Sequence, residues 1–223
     1  NDILKLRDSY TKIFCQYDEF VDEEKIFKLN YPFIITKKSN ATFKDRPYFS
    51  CMISSNKSMK KKYKTNLYNK RFELINWFEK NNSEDFFLYG LDWELPFQKS
   101  GMLGRLVNFK NKVLKKKNNL TCYQGIIEKK GDILKKCKFA FCFENSNIEG
   151  YISDPIFDVF SYGCIPIYLG AQNIKKYIPS DIFIDFRNFN SFQNLYDHLN
   201  QINEKEYSII QEKIFSFILS ENI

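Results

Sequence analysis

Glu144, Asn145, Tyr151, Ser153 and Asp154 lie close together in the chain and offer two carboxylates, an amide and two hydroxyls. Such a set can hydrogen-bond a hydroxyl-bearing ligand from several sides. The flanking residues say where the set sits. Phe139 to Phe143 is almost wholly apolar, the pattern of a strand buried on both faces. Glu144, Asn145 and Ser146 follow just beyond its carboxyl end. Gly150 breaks the chain, Ser153 is placed to cap a helix, and Pro155 fits the first turn of that helix. Gly163 ends it, and Ile165 to Leu169 is the next strand. In open α/β sheets ligands settle outside the carboxyl ends of strands, beside helix N-termini, where anions are favoured. The polar cluster occupies that place.

The elements that must position it follow from periodicity and breakers. A short helix is expected near 1–10 and a strand at 12–17, then a mixed segment to about 45. Strand 48–54, helix 67–80 and strand 85–89 form a first unit, and helix 105–116 follows. Helix 131–137, strand 138–143, helix 153–162 and strand 165–169 form a second. A short helix at 173–177, a strand at 182–185 and helices at 191–201 and 204–219 close the chain. Alternating strands and helices predict an α/β fold: a Rossmann-like, mainly parallel sheet with helices on both faces.

Composition narrows the class. At 223 residues, 43% hydrophobic and 17% aromatic, the chain can bury a full core. Its formal charge is +7. The basic runs Lys60-Lys61-Lys62, with Lys64 behind, and Lys115-Lys116-Lys117 read first as solvated faces. They leave open attraction to a diphosphate or peripheral association with an anionic membrane. No nucleic-acid motif organises them, so no nucleic acid is expected. The six cysteines include no Cys-x-x-Cys pair and His198 is the sole histidine, which argues against zinc. Thiols inside apolar runs read as free and buried, favouring a reducing, cytoplasmic setting. The triplets at Asn40, Asn81 and Asn119 fit a glycosylation pattern, but such triplets arise by chance in an asparagine-rich chain. No apolar run approaches the roughly 20 residues needed to span a bilayer.

The signature segment resembles that of the α-1,3-fucosyltransferases, inverting enzymes that use GDP-fucose. The resemblance is carried by Phe143-Glu144-Asn145-Ser146, Gly150-Tyr151-Ile152-Ser153 and Gly163-Cys164-Ile165-Pro166-Ile167-Tyr168-Leu169-Gly170. Looser matches lie upstream: a strand closed by Ser55-Asn56, Arg71 at the head of a helix, and Phe86-Phe87-Leu88-Tyr89-Gly90. Lys12 to Asp22, followed by Leu29-Asn30-Tyr31-Pro32, is similar to the family's interdomain region. Where the family has Glu-Lys, this chain has Asp154-Pro155.

The resemblance implies a GT-B arrangement of two facing Rossmann-like domains. Residues 1–45 are then a remnant of the N-terminal domain and interdomain segment, and 46–223 the donor-binding domain. The chain opens on Asn1 in the interdomain region, so an excised donor-binding half is expected, with a naturally reduced protein as the alternative. The implied donor site is Asn56, Arg71, Asn145, Tyr151, Ser153 and Asp154. Arg71 matches the phosphate-binding arginine, and Asp154 the acid that holds the ribose hydroxyls. Each also has a plain structural role open to it: surface arginine, turn tie, core filler, helix cap. Glu144 reads as structural, holding loop amides. The catalytic base is expected in the missing domain, so none is named here. No Asp-x-Asp triplet is present, and no metal or other cofactor is expected beyond the GDP-fucose donor. The implied partners are a nucleotide sugar and a glycan acceptor. Two rival readings stay open: an enzyme using another nucleotide sugar, and a non-catalytic binding module on the same fold.

Overall fold

The computed structural model describes residues 2–30, 39–59, 65–114 and 116–220. Tyr31, Pro32, Lys60 to Lys62, Lys64 and Lys115 lie outside the described residues. The elements in order are α1 (Asp2–Leu6), β1 (Ile13–Cys15), β2 (Ile26–Lys28), β3 (Tyr48–Ile53), α2 (Tyr68–Asn81), β4 (Phe86–Tyr89), α3 (Gly101–Val113), α4 (Lys130–Leu134), β5 (Cys137–Phe143), α5 (Asp154–Ser161), β6 (Ile165–Leu169), β7 (Ile184–Asp185), α6 (Phe192–Gln201) and α7 (Glu204–Ile218).

β3 to β7 form one wholly parallel sheet in the order β4-β3-β5-β6-β7. The chain therefore builds outward from β3 to β4, then crosses back to the other side at β5. That reversal creates a crevice at the carboxyl ends of β3 and β5, the switch point where doubly wound sheets hold ligands. β5 lies in the middle of the sheet and is buried at every position but Lys138, because a parallel strand covered by helices has no polar face. Aromatic rings from α2 and α6 meet on one side, where Trp77 and Phe78 contact Tyr196. α4, α5 and α7 pack together on the other, with Phe160 against Phe217. Beneath α2, Phe78 stacks on Phe86 at 4.6 Å and meets Phe141 edge-on. Pro166 sits inside β6, yet β7 pairs only Ile167 and Tyr168, so no ladder bond is asked of it on that side.

Several boundaries differ from the sequence reading. The segment before residue 45 contains β2, which pairs in parallel with β1 as a separate two-stranded sheet. α3 starts at Gly101, four residues early, because Ser100 is extended and Gly101 takes a positive φ at the turn. α4 stops at Leu134, since β5 begins at Cys137. The helix expected near 1–10 is helical only over Asp2–Leu6 before a tighter turn. The piece at 174–176 is a single 3-10 turn, and β7 is two residues long.

Arg46 joins the layers at the other end of the sheet. It is 1% exposed and has no carboxylate partner among the described residues. Its Nη1 donates to the carbonyls of Leu134 and Cys137, both at 2.8 Å, and Nη2 to those of Tyr162 at 2.6 Å and Ala41 at 3.2 Å. One planar fork thus fixes α4, β5 and α5 together. Lysine cannot span four carbonyls. Arg46→Lys is predicted to cost at least about 2 kcal/mol, given about 1.5–3 kcal/mol for a hydrogen bond to a charged group. Urea unfolding of the two proteins measures it.

Candidate active site at the switch point

The site is built where β5 ends. Residues 65–67 run antiparallel beside 145–147: Leu67 N donates to Asn145 O at 3.1 Å, and Asn147 N to Thr65 O at 2.7 Å. This pairing fixes the entry of α2 and so places Arg71, on its first turns, under the end of β5. Arg71 is 8% exposed. Its Nε donates to the Phe143 carbonyl at 3.1 Å, its Nη2 to the same carbonyl, and Nη2 also to Asn145 Oδ1 at 3.1 Å. The guanidinium lies over the Tyr68 ring, 4.9 Å from its centre. Nη1 has no acceptor among the described residues. Burial pulls the Arg71 pKa down, with Tyr68, Glu144 and Tyr151 opposing.

Glu144, 4% exposed, anchors the second wall. Its Oε1 accepts from Ser153 N at 2.8 Å and its Oε2 from Ser153 Oγ at 2.5 Å. The carboxylate thereby ties the end of β5 to the start of α5. Ser153 does stand at the N-cap position, but its hydroxyl donates to Glu144 and makes no capping bond. Burial pushes the Glu144 carboxyl above its ordinary value, while Ser153 and the charge of Arg71 pull it back only in part.

The six residues singled out from sequence separate into groups. Arg71 and Asn145 are directly bonded. Tyr151 is half-buried beside them, its ring 5.9 Å from that of Tyr17; burial raises its phenol and Asn145 opposes. Ser153 joins through Glu144. Asp154 turns instead to Lys130 on α4, at 3.2 Å, which also reaches Asp158 at 2.5 Å. Asn56 is 2% exposed and its side chain is committed to the 92–98 loop. Nδ2 donates to the carbonyls of Asp92, Leu95 and Pro96, and Oδ1 accepts from Gln98 N at 3.0 Å. It shapes one wall of a cavity of about 590 Å³ that Tyr68 and Arg105 also line.

Two features escaped the sequence reading. Lys130, a cation beside Pro155 at the head of α5, comes from a different helix; only the fold brings it there. Burial works against its charge, but Asp158 and Asp154 outweigh it and hold its pKa above the ordinary value. The other is Asp18, on the N-terminal segment. It accepts from Lys28 Nζ at 2.6 Å, Asn173 Nδ2 at 2.6 Å and the Tyr177 hydroxyl at 2.7 Å. Lys28 also donates to Gly150 O, and Asp18 N to Glu149 O. Gly150 has φ +77°, and a Cβ there would stand 2.1 Å from Asp18 Oδ1, so no other residue fits this loop as it is folded. Among the described residues no group of three or more His, Cys, Asp or Glu could hold a metal ion. All six cysteines are buried and unpaired.

A parallel sheet in this order, with helices on both faces, matches the fold of the donor-binding domain of GT-B glycosyltransferases. Residues 111–211 match the profile of glycosyltransferase family 10 (fucosyltransferase) C-term. Over that region, less than half of its length, the chain is similar to this family. Asn145, Tyr151, Ser153 and Asp154 fall inside the match, and Asn56 and Arg71 outside it. The mouse 4-galactosyl-N-acetylglucosaminide 3-alpha-L-fucosyltransferase 9 is 36% identical over 73 residues, 32% of this chain and 20% of that protein. An alpha-(1,4)-fucosyltransferase of Arabidopsis thaliana is 31% identical over 67 residues, 30% of this chain and 17% of that one. The chain thus aligns with about a fifth of the curated relatives' length. A crystal structure of an alpha1,3-fucosyltransferase with GDP-fucose superposes with a TM-score of 0.58 at 15% identity, covering 96% of this chain and 71% of that one. A mutant of S. aureus TarM in complex with UDP superposes at 0.61 and 12% identity, covering 100% and 43%. At such identities these two establish the fold alone.

The buried acid yields a pH prediction. A carboxyl whose pKa is higher folded than unfolded contributes stability below the unfolded value, about 4.3. That contribution is lost as pH rises through the folded value. Glu144→Gln removes this titration while retaining an acceptor for Ser153 N. The stability of wild type relative to Glu144→Gln should therefore fall between pH 4 and neutrality. Urea unfolding of both proteins across that range measures it, and a flat difference would remove Glu144 from the buried, strained role assigned here.

Proposed function

We propose that this chain is the donor-binding half of an inverting fucosyltransferase that takes GDP-fucose and passes fucose to a hydroxyl of a glycan acceptor. One observation carries the reading. The segment from Phe143 to Gly170, which lies within the family match, begins at the carboxyl end of β5, one of the two strands that flank the switch point, and this supports the reading.

The proposed chemistry is charge stabilisation. Transfer releases GDP, so negative charge grows on the β-phosphate, and cations preorganised around it lower the barrier. Arg71 suits this role because its Nε–Nη2 edge is held by Phe143 and Asn145 while Nη1 remains available. The start of α5 adds backbone N–H groups, though Pro155 supplies none. Lys130 stands where it can serve in place of the lysine that Pro155 displaces, once a phosphate competes with Asp154 and Asp158. Asp154, released from Lys130, is the proposed acceptor for the ribose hydroxyls. Tyr151 and Ser153 complete the donor wall, and Asn56 supports it by fixing the 92–98 loop. Residues 1–45 are proposed as the interdomain link and 46–223 as the donor domain. The base that deprotonates the acceptor hydroxyl is assigned to the facing domain. The linkage stays open, since the matched relatives include both 3-alpha and alpha-(1,4) enzymes.

Isothermal titration with GDP, GDP-fucose, GDP-mannose and UDP tests the reading. GDP and GDP-fucose should bind and UDP should not. Arg71→Ala should weaken GDP by about 1.5–3 kcal/mol, the range for hydrogen bonds to a charged group, and Lys130→Ala should weaken it by a similar or smaller amount. Because Arg71 also supports β5, its variant must be titrated at a temperature where circular dichroism reports it folded. Preference for UDP would point to another nucleotide sugar, and no nucleotide binding at all to a non-catalytic module.

A further inference from the structure

α3 is unlike every other helix of comparable length in the described residues. Only Gly104 in it is buried. Met102, Leu106, Phe109 and Val113 recur at intervals of four, three and four, which places them on one stripe of the helix. That stripe points to solvent: Met102 is 82% exposed, Phe109 68%, and Leu106 and Val113 62% each. The opposite side carries Gly104 and Asn108, and Asn108 exchanges hydrogen bonds with the backbone of Lys99, just ahead of the helix, at 2.8 and 3.0 Å. Arg105 and Lys112 flank the stripe on one side and Lys110 on the other. All three are exposed, and none has an ion-pair partner among the described residues.

The charge distribution identifies the partner. From Gln98 to Ile127 the chain has no Asp or Glu but seven Lys and Arg: Lys99, Arg105, Lys110, Lys112, Lys115, Lys116 and Lys117. Removing those seven from the 34 basic residues leaves 27, equal to the 27 acidic ones. The whole net charge of +7 therefore resides in this one segment. An apolar stripe bordered by long cationic side chains suits an interface that is apolar within and negative at its surface. A second copy of this chain would bring like charges face to face, which disfavours pairing through the stripe. No described helix is long and apolar enough to cross a bilayer, so the contact would lie along the surface.

We propose that α3 is a membrane-surface anchor that seats Met102, Leu106, Phe109 and Val113 among the acyl chains of an anionic leaflet, with Arg105, Lys110 and Lys112 on the headgroups. The proposal does not depend on the donor specificity of the switch-point site. The test is flotation of the full chain with phosphatidylcholine vesicles, with and without about 30% phosphatidylglycerol, an anionic lipid of the kind that attracts basic segments. The chain should float with the anionic vesicles, much less with the neutral ones, and less in high salt. Each charge near the surface is worth about fivefold in partitioning, or ~1 kcal/mol, so Lys110→Glu with Lys112→Glu should reduce binding at least about tenfold. Leu106→Asp with Phe109→Asp should do the same. All four side chains are exposed, so thermal unfolding should be unchanged. Equal flotation on both lipids, or wild-type flotation of the Leu106→Asp, Phe109→Asp protein, would overturn the proposal. So would a dimer in sedimentation that these two substitutions dissolve without any binding to lipid.

Discussion

The carbonyl of Phe143 is the last of the central strand, and the group that satisfies it organises the site. Arg71 reaches it from α2, and one residue later Glu144 reaches forward to Ser153 on the loop before α5. A buried cation and a buried anion therefore end the same strand without touching each other. Each carries a desolvation penalty, visible as a lowered pKa for Arg71 and a raised one for Glu144. Each partly offsets the other through the field between them. Neutral side chains could pack this volume at less electrostatic cost. What the charged arrangement adds is placement: two helices, on opposite faces of the sheet, are indexed to one strand end to within a hydrogen-bond length.

That indexing matters because the sheet alone is not selective. The same layered fold is superposable on structures carrying GDP-fucose and UDP. The order β4-β3-β5-β6-β7 opens a crevice at the switch point whatever side chains surround it. Discrimination has to come from side chains set around the crevice, and here they are set by residues that do not themselves need to touch a ligand. Asn56 uses its amide on the 92–98 loop, and Glu144 its carboxylate on Ser153. The N-terminal segment acts in the same way. Asp18 collects Lys28, Asn173 and Tyr177 around the turn at Gly150, and so fixes the loop that carries Tyr151. Burial works against the Asp18 charge, but these bonds outweigh it and keep its carboxyl below the ordinary value.

Much of this was legible in the amino-acid sequence. The run Phe139 to Phe143 could only be a doubly covered strand, because nothing polar in it offers a solvent face. Gly150, Pro155 and Gly163 punctuate the chain beyond it. The family resemblance rested on the same local pattern, and the match over residues 111–211 lies there. Glu144 as a holder of loop amides followed from its position one residue past the strand. Local residue order determines local geometry, and this stretch is local.

Tertiary structure alone decided which of the polar residues meet. Arg71 and Asn145 are far apart in the chain, and their bond depends on the pairing of 65–67 with 145–147, which no periodicity announces. Asn56 looked like a ligand contact until the fold brought four backbone groups around it. Pro155 read as the loss of a cation until α4 delivered Lys130 to the same helix start. The exposure of α3 was equally hidden, since an amphipathic pattern reads the same whether its apolar stripe faces a core or the solvent. In each case the deciding quantity is the set of groups brought close by chain crossings, and sequence spacing carries no information about distances set by the packing of other elements.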